Sequence, residues 1–440
     1  MAQREVVLDK VEKLRKINKA KQIIILISLL SLCLDAYRIM GLGTFSVTLS
    51  FLSLIALIFV GLLEMDNGLY PDKKRLIICA LFALAIVTSI LFNLRIFNSN
   101  STMLYVVFLL VYLFSHHRTS DANMLKILWV VNIVYTALSL YGIYQFGAYM
   151  YDLPLADIII PGHMTPGFNR TNTIEIGDYR FTRAHSIYLE PSALSQFAAF
   201  AIILSFILFK YKLLKFYVLI PCVLINIIAL IMAIAGTGII VLGVTVLIFS
   251  IMCIVKRKYI FVPIGVLVLI IAAIFFIFLT DNNISEYVRT RIMEIMDPKW
   301  SGGMRFTTPY LVAHWSVTHY YLGVSPGNEA FAIQQYRSFH PDSGIMSSYD
   351  VFPSGYAKVA VELGIFGFGL LCALFSTLRK NSFYKYIFTF TLMIPFIGGN
   401  LLQPYLWVLV ALLNSSPREW LIYERTLSSW QTSEIAEIAA

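Results

Sequence analysis

The sequence predicts an all-α, polytopic integral membrane protein with about twelve transmembrane helices and two large extracytoplasmic loops. Three observations predict it. The 440 residues are 58% hydrophobic and only 13% charged, about half the charge that a soluble domain carries. The apolar residues fall in runs long enough to cross a hydrocarbon core of about 30 Å. Lysine and arginine collect in every second connection between those runs, the pattern of cytoplasmic loops.

Taken in order, residues 1–21 form a basic cytosolic segment. Residues 22–149 hold five spans, near 22–40, 44–64, 76–94, 102–115 and 125–149. A first external loop covers 150–192. Residues 193–280 hold four more, near 193–209, 216–234, 237–255 and 259–280, and a second external loop covers 281–353. Residues 354–415 hold three, near 354–377, 384–400 and 402–415, the last sharing the Gly398, Gly399, Pro404 region with its neighbour. A cytosolic tail, 416–440, closes the chain. With the N-terminus inside, the short cytosolic segments contain Lys73, Lys74, Arg75, Arg118, Lys210, Lys256, Arg379 and their neighbours. The formal net charge of +9 is therefore a topology signal rather than a nucleic-acid patch. The five cysteines all lie in apolar runs and imply no disulfide framework.

The two long loops cannot lie in lipid and must fold over the outer mouth of the helices. They hold five of the seven histidines, and their twelve acids outnumber their eight basic residues, so the arginines there answer either to local ion balance or to a ligand. Within the second loop Ile284, Val288, Ile292 and Ile295 recur at helical spacing, and Tyr310 to Tyr321 reads in the same way.

No P-loop, metal-spaced Cys/His set or nucleophile elbow is present. Polar residues concentrate instead where the loops re-enter the membrane. The first set runs from Arg183 through His185 to Glu190-Pro191, where Glu190 equally suits a helix cap. The second is Ser301-Gly-Gly-Met-Arg305 with Gly323-Val-Ser-Pro-Gly327-Asn328. The third runs from Tyr349-Asp350 to Lys358, Glu362, Gly364 and Gly367. A lone charge at the bilayer centre costs about 2.5–3.5 kcal/mol on insertion scales, and Lys358 and Glu362, one turn apart, offset each other.

The order of these segments resembles the O-antigen polymerase and ligase superfamily of bacterial envelope glycosyltransferases. The likeness rests on Arg-x-x-Ser-x-x-x-Glu-Pro (Arg183 to Pro191) and on the small turn Gly236-Thr237-Gly238. It continues with Arg305 ahead of Leu322-Gly323-Val324, and closes with Glu-x-Gly-x-x-Gly (Glu362 to Gly367). It covers about residues 180–370. It implies a GT-C-like fold in a bacterial inner membrane, with both termini cytosolic. It also implies polymerisation of undecaprenyl-pyrophosphate-linked oligosaccharide repeat units, as donor and acceptor, into O-antigen, capsule or exopolysaccharide. A chain-length-regulating co-polymerase is a further expected partner, with no nucleic acid. Ligases of this superfamily carry a histidine just ahead of the closing span. Here Ser347 to Ser354 has none, although His340 lies about ten residues earlier. The competing expectations are a ligase that transfers polymer to lipid A core and a flippase for the same lipid-linked sugars.

On that reading Arg183 and Arg305, supported by Arg180 and Arg291, would grip the leaving pyrophosphate, whose oxygens suit guanidinium forks. Asp350, His340, Glu190 and His185 are the candidate bases for the attacking hydroxyl. No metal or other cofactor is expected, because arginines can stabilise such a leaving group.

Overall fold

Why the helices stop where they do is visible at their ends. A computed structural model describes residues 2–42, 45–66, 71–93, 98–166, 168, 173–176, 179–255, 286, 289, 293, 301–345, 352–397 and 403–415. The span expected at 259–280, the Ile284–Ile295 face, Gly398, Gly399, Arg291, Asp350 and the tail lie outside these residues. Helices α1 (Ala2–Ser31), α2 (Leu49–Asp66), α3 (Lys73–Phe92), α4 (Ser99–Phe114) and α5 (Asp121–Tyr151) open the chain. Then come α6 (Pro191–Lys210), α7 (Phe216–Met232), α8 (Gly236–Val255), and the loop helices α9 (Ser301–Phe306), α10 (Thr308–His319) and α11 (Glu329–Phe339). Last are α12 (Gly355–Thr377), α13 (Tyr384–Ile397) and α14 (Pro404–Leu413). Asp72, Asn98, Ser120 and Ser354 cap α3, α4, α5 and α12 through their side-chain oxygens, which satisfies amide groups that have no partner within the helix.

Among the described residues six stretches are long and apolar enough to cross a membrane: Glu12–Leu34, α2, α3, α5, α6 and α12. The stretches Ser99–Phe114, Phe216–Met232, Gly236–Ile248 and Pro404–Leu413 are apolar but shorter. The outward-facing Phe59, Leu84, Leu91 and Phe92 are more than half exposed, as suits a surface solvated by lipid. Helix α14 differs: its ten residues reach about 15 Å, and Leu406 to Leu413 are all buried among α1, α2 and α4. It is a core helix about half as long as the bilayer is thick. The expected first span, 22–40, also shifts. The basic segment before it is helical from Ala2, and the α-helix ends at Ser31. The chain then turns into a hairpin, β1 (Met40–Leu42) with β2 (Phe45–Val47). A second hairpin pairs β3 (Thr173–Ile176) with β4 (Tyr179–Thr182) in the first long loop. Both qualify the all-α expectation: backbone that leaves the helices still needs hydrogen-bond partners.

Hydrogen bonds sort the helix ends into two sets. At the basic end, Lys21 Nζ lies 2.6 Å from Glu64 Oε2 and donates to the carbonyls of Phe114 and His116. Arg379 reaches Asp121 at 2.7 Å, and His117 N donates to Asn414 O. At the loop end, Arg38 N donates to His163 O and Ala184 N to Met232 O. The described helices thus run alternately between one end rich in cations and one end that carries the long loops. Lys21→Met would strip Glu64 and two carbonyls of their shared donor. We expect it to cost roughly 2–4 kcal/mol, read as a lower melting temperature in detergent, whereas Lys16→Met, on an exposed i, i+4 pair with Glu12, should change little.

Candidate functional site

Helix α5 is longer than a bilayer needs: its 31 residues extend about 46 Å, so its last turns rise into the loop end. They carry Gln145 and Tyr149, which organise the segment 183–190 between β4 and α6. Gln145 Oε1 accepts from the amides of His185 (2.8 Å) and Ser186 (2.6 Å), and its Nε2 donates to Ala156 O (2.7 Å) and Ser186 O (3.2 Å). One buried amide therefore satisfies four backbone groups and sets the path of the chain through His185.

The imidazole of His185 is buried. Its Nε2 lies 3.1 Å from Asp157 Oδ1 and 3.2 Å from the Tyr149 hydroxyl, which itself donates to Asp157 Oδ1 at 2.5 Å. A carboxylate at Nε2 assigns the proton to that nitrogen. The lone pair of the neutral ring is then on Nδ1, which is buried without a hydrogen-bond partner among the described residues. Phe168 stands perpendicular to the ring, centroids 5.3 Å apart.

Two residues earlier, half-buried Arg183 donates from Nη1 to Ile234 O at 3.4 Å. Ile234 adopts φ +44° in the link between α7 and α8, an unusual conformation for a β-branched residue. Glu190 occupies the N-cap position of α6, with Pro191 at the first turn, but its carboxylate caps no helical amide; it accepts from the Ser192 hydroxyl. The position expected of a cap is correct, and the side chain is turned elsewhere. Behind it Gly238 N donates to Ser195 Oγ at 3.1 Å. A β-carbon at Gly238 would lie 2.3 Å from Ser195 O, so only glycine allows α8 to approach α6 this closely. The Arg183–Pro191 segment and the Gly236–Gly238 turn, far apart in sequence, are thus packed together.

The remaining two segments also meet. Helix α12 is broken at Gly364, where φ is +67° and ψ −167°. Into the break docks the turn after α10: Val324 N donates to Val361 O (3.0 Å) and Ser325 N to Glu362 O (3.1 Å). Asn93, just past α3, secures the same turn by donating to Gly323 O (3.0 Å), and Ser89 of α3 accepts from Ser325 N (2.9 Å) while donating to Glu362 O of α12 (2.7 Å). Beneath it Lys358 Nζ donates to Glu329 Oε2 and lies 2.9 Å from Glu362 Oε1. Glu362 also accepts from Gly327 N (2.7 Å) and from the Tyr105 hydroxyl (2.6 Å). All three charged residues are buried. Glu329 lies outside the spanning helices. Burial and the neighbouring Glu362 push its carboxyl up to about 8, although Lys358 pulls the other way.

The expected residues therefore distribute unevenly. Arg183, His185 and Glu190 gather in one segment, joined by Asp157, Tyr149 and Gln145, which the sequence did not single out. Lys358 and Glu362 pair as expected and acquire Glu329 and Tyr105. Arg180 is separate: it is exposed on β4 and donates across the hairpin to Thr173 Oγ1. His340 is also separate, exposed at the end of α11 and packed on Tyr336 at 4.5 Å. Arg305, in the last turn of α9, is half-buried and has no ion-pair partner among the described residues. Asp350 and Arg291 lie outside those residues. Among the described residues no three His, Cys, Asp or Glu side chains converge on a metal-sized site. Compared with known proteins, the chain matches no protein-family model and no curated protein.

Proposed function

We propose that this protein is a membrane glycosyltransferase that joins polyprenyl-pyrophosphate-linked oligosaccharides into a polysaccharide at the outer face of a bacterial inner membrane. The observation that carries the reading is the placing of Arg183 two residues from a buried His185–Asp157 pair, at the loop end of an apolar helical bundle. Transfer of this kind forms a bond from an acceptor hydroxyl oxygen to the donor's anomeric carbon and breaks the bond from that carbon to the pyrophosphate. The leaving group carries concentrated negative charge, which Arg183 offsets; Arg305 is the second cation assigned to it. The hydroxyl proton passes to His185, and Asp157 stabilises the imidazolium that forms.

Arg183→Ala should reduce polymer formation by about 10²–10³-fold, the usual effect of removing one charge-stabilising donor, while the protein stays in the membrane. Incubating the protein in nanodiscs with lipid-linked repeat units and resolving products by size checks this. Wild-type ladders with an equally active Arg183→Ala variant would remove the site assignment.

One observation favours a second reading. A spanning helix broken at Gly364 beside buried charges is a feature of transporters, so a flippase for the same lipids is the alternative. Loss of the gene leaves single repeat units at the cell surface if the protein polymerises. It leaves lipid-linked units on the cytosolic face if it transports.

A further inference from the structure

Glu329, Lys358 and Glu362 form a buried cluster in which one ammonium faces two carboxylates. Fully ionised, it would hold an uncompensated negative charge out of water, which is strongly disfavoured. The hydrogen bonds show where the imbalance lies. Glu362 collects Lys358, the Gly327 amide and the Tyr105 hydroxyl, three donors suited to a carboxylate. Among the described residues Glu329 has Lys358 as its one side-chain donor, the same ammonium that serves Glu362. Two buried carboxyl groups that share one ammonium favour a proton on the one with fewer donors, Glu329.

Position gives this proton a consequence. Glu329 begins α11 directly after the turn Tyr320–Asn328, whereas Lys358 and Glu362 belong to α12. The cluster joins the docked turn to the broken helix. Among the described residues Tyr105 from α4 is the other titratable group against it; Ser89 from α3 contributes an uncharged hydroxyl. We infer that Glu329 and Glu362 are a proton-binding site, and that the bound proton holds the Tyr320–Asn328 turn in the break at Gly364. This inference does not depend on the glycosyltransferase reading.

The direction of the pH effect follows. Released into water, Glu329 ionises near its ordinary 4.5; docked, it keeps its proton to about 8. Docking therefore takes up a proton within that window and weakens as pH rises, by at most roughly tenfold per unit, levelling off above about 8. The amides of Val324 and Ser325, bonded to Val361 O and Glu362 O, report it by hydrogen exchange corrected for the intrinsic effect of pH. Wild-type protection should fall as pH rises from about 6 to 8 and then flatten. Glu329→Gln, which mimics the protonated acid, should keep its protection throughout. A flat wild-type profile would overturn the inference, as would an E329Q variant with the wild-type slope or with no protection at any pH. Independently of that variant's folding, infrared spectra of the wild type should show a carboxylic-acid carbonyl band at neutral pH that disappears on raising pH to about 9; absence of such a band would also overturn it.

Discussion

On the proposed glycosyl-transfer reading, Asp157→Asn should slow the reaction on the order of 10²–10⁴-fold, with membrane insertion and melting temperature close to wild type. Asp157 Oδ1 faces His185 Nε2 at 3.1 Å and accepts from Tyr149 at 2.5 Å. It thereby holds the imidazole in the tautomer whose basic nitrogen is Nδ1. Asparagine keeps the size but loses the charge that stabilises imidazolium, and its amide can present an N–H where the ring needs an acceptor. His185→Ala should be at least as severe. The double variant should be no worse than the more severe single one, because the two groups act as one unit. Single-turnover rates on lipid-linked repeat units decide this. An Asp157→Asn rate within about threefold of wild type, under half a decade of the expected effect, would show that the pair is only structural. Replacing Glu190, whose carboxylate is occupied by its own Ser192, should have a smaller effect.

Gly364→Ala should be the most damaging single change in the helical core. At φ +67° and ψ −167° the backbone lies in a region open essentially only to glycine. A β-carbon there would stand 1.9 Å from Tyr321 O and 2.9 Å from Gly323 N. These are backbone atoms of the docked turn and cannot swing aside, so either the turn leaves the break or α12 straightens. The expected loss is about 3 kcal/mol or more, seen as a lower melting temperature and faster proteolysis within residues 320–328. Gly369→Ala, in the same helix but with open space at its β-carbon, is the control. It should be neutral or stabilise by up to about 1 kcal/mol. Equal behaviour of the two variants would show that the break is not maintained by glycine.

Much of the scaffold is legible from periodicity and charge. The runs read at 193–209, 216–234 and 237–255 correspond to α6, α7 and α8 within two residues at each end, because an apolar run bounded by lysines has few alternatives in lipid. Legibility fails where apolarity no longer reports the surroundings. The stretch 402–415 reads as a span, yet its helix is buried by protein on all sides, and protein and lipid are equally apolar neighbours. Residues 35–40 also look like part of a span; a half-buried carboxylate, Asp35, which accepts from the Ser50 hydroxyl, stands where the chain turns out of the helix instead.

The site divides in the same way. Arg183, His185 and Glu190 are legible because they are consecutive in one polar segment at a helix start. Asp157 is 28 residues from His185, and Glu329 is 29 from Lys358; no periodicity links such pairs.

Sequence by itself determined that the chain is a bundle of apolar helices, which end carries the cations, and where polar residues return to the membrane, since these depend on local composition and helix length. Only the tertiary structure decided that Asp157 orients His185, that Glu329 joins Lys358 and Glu362, and that Gly364 opens a helix to receive a distant turn. Each of those depends on burial, which removes water as a partner and leaves a charge or an amide to be satisfied by whichever group the fold brings near.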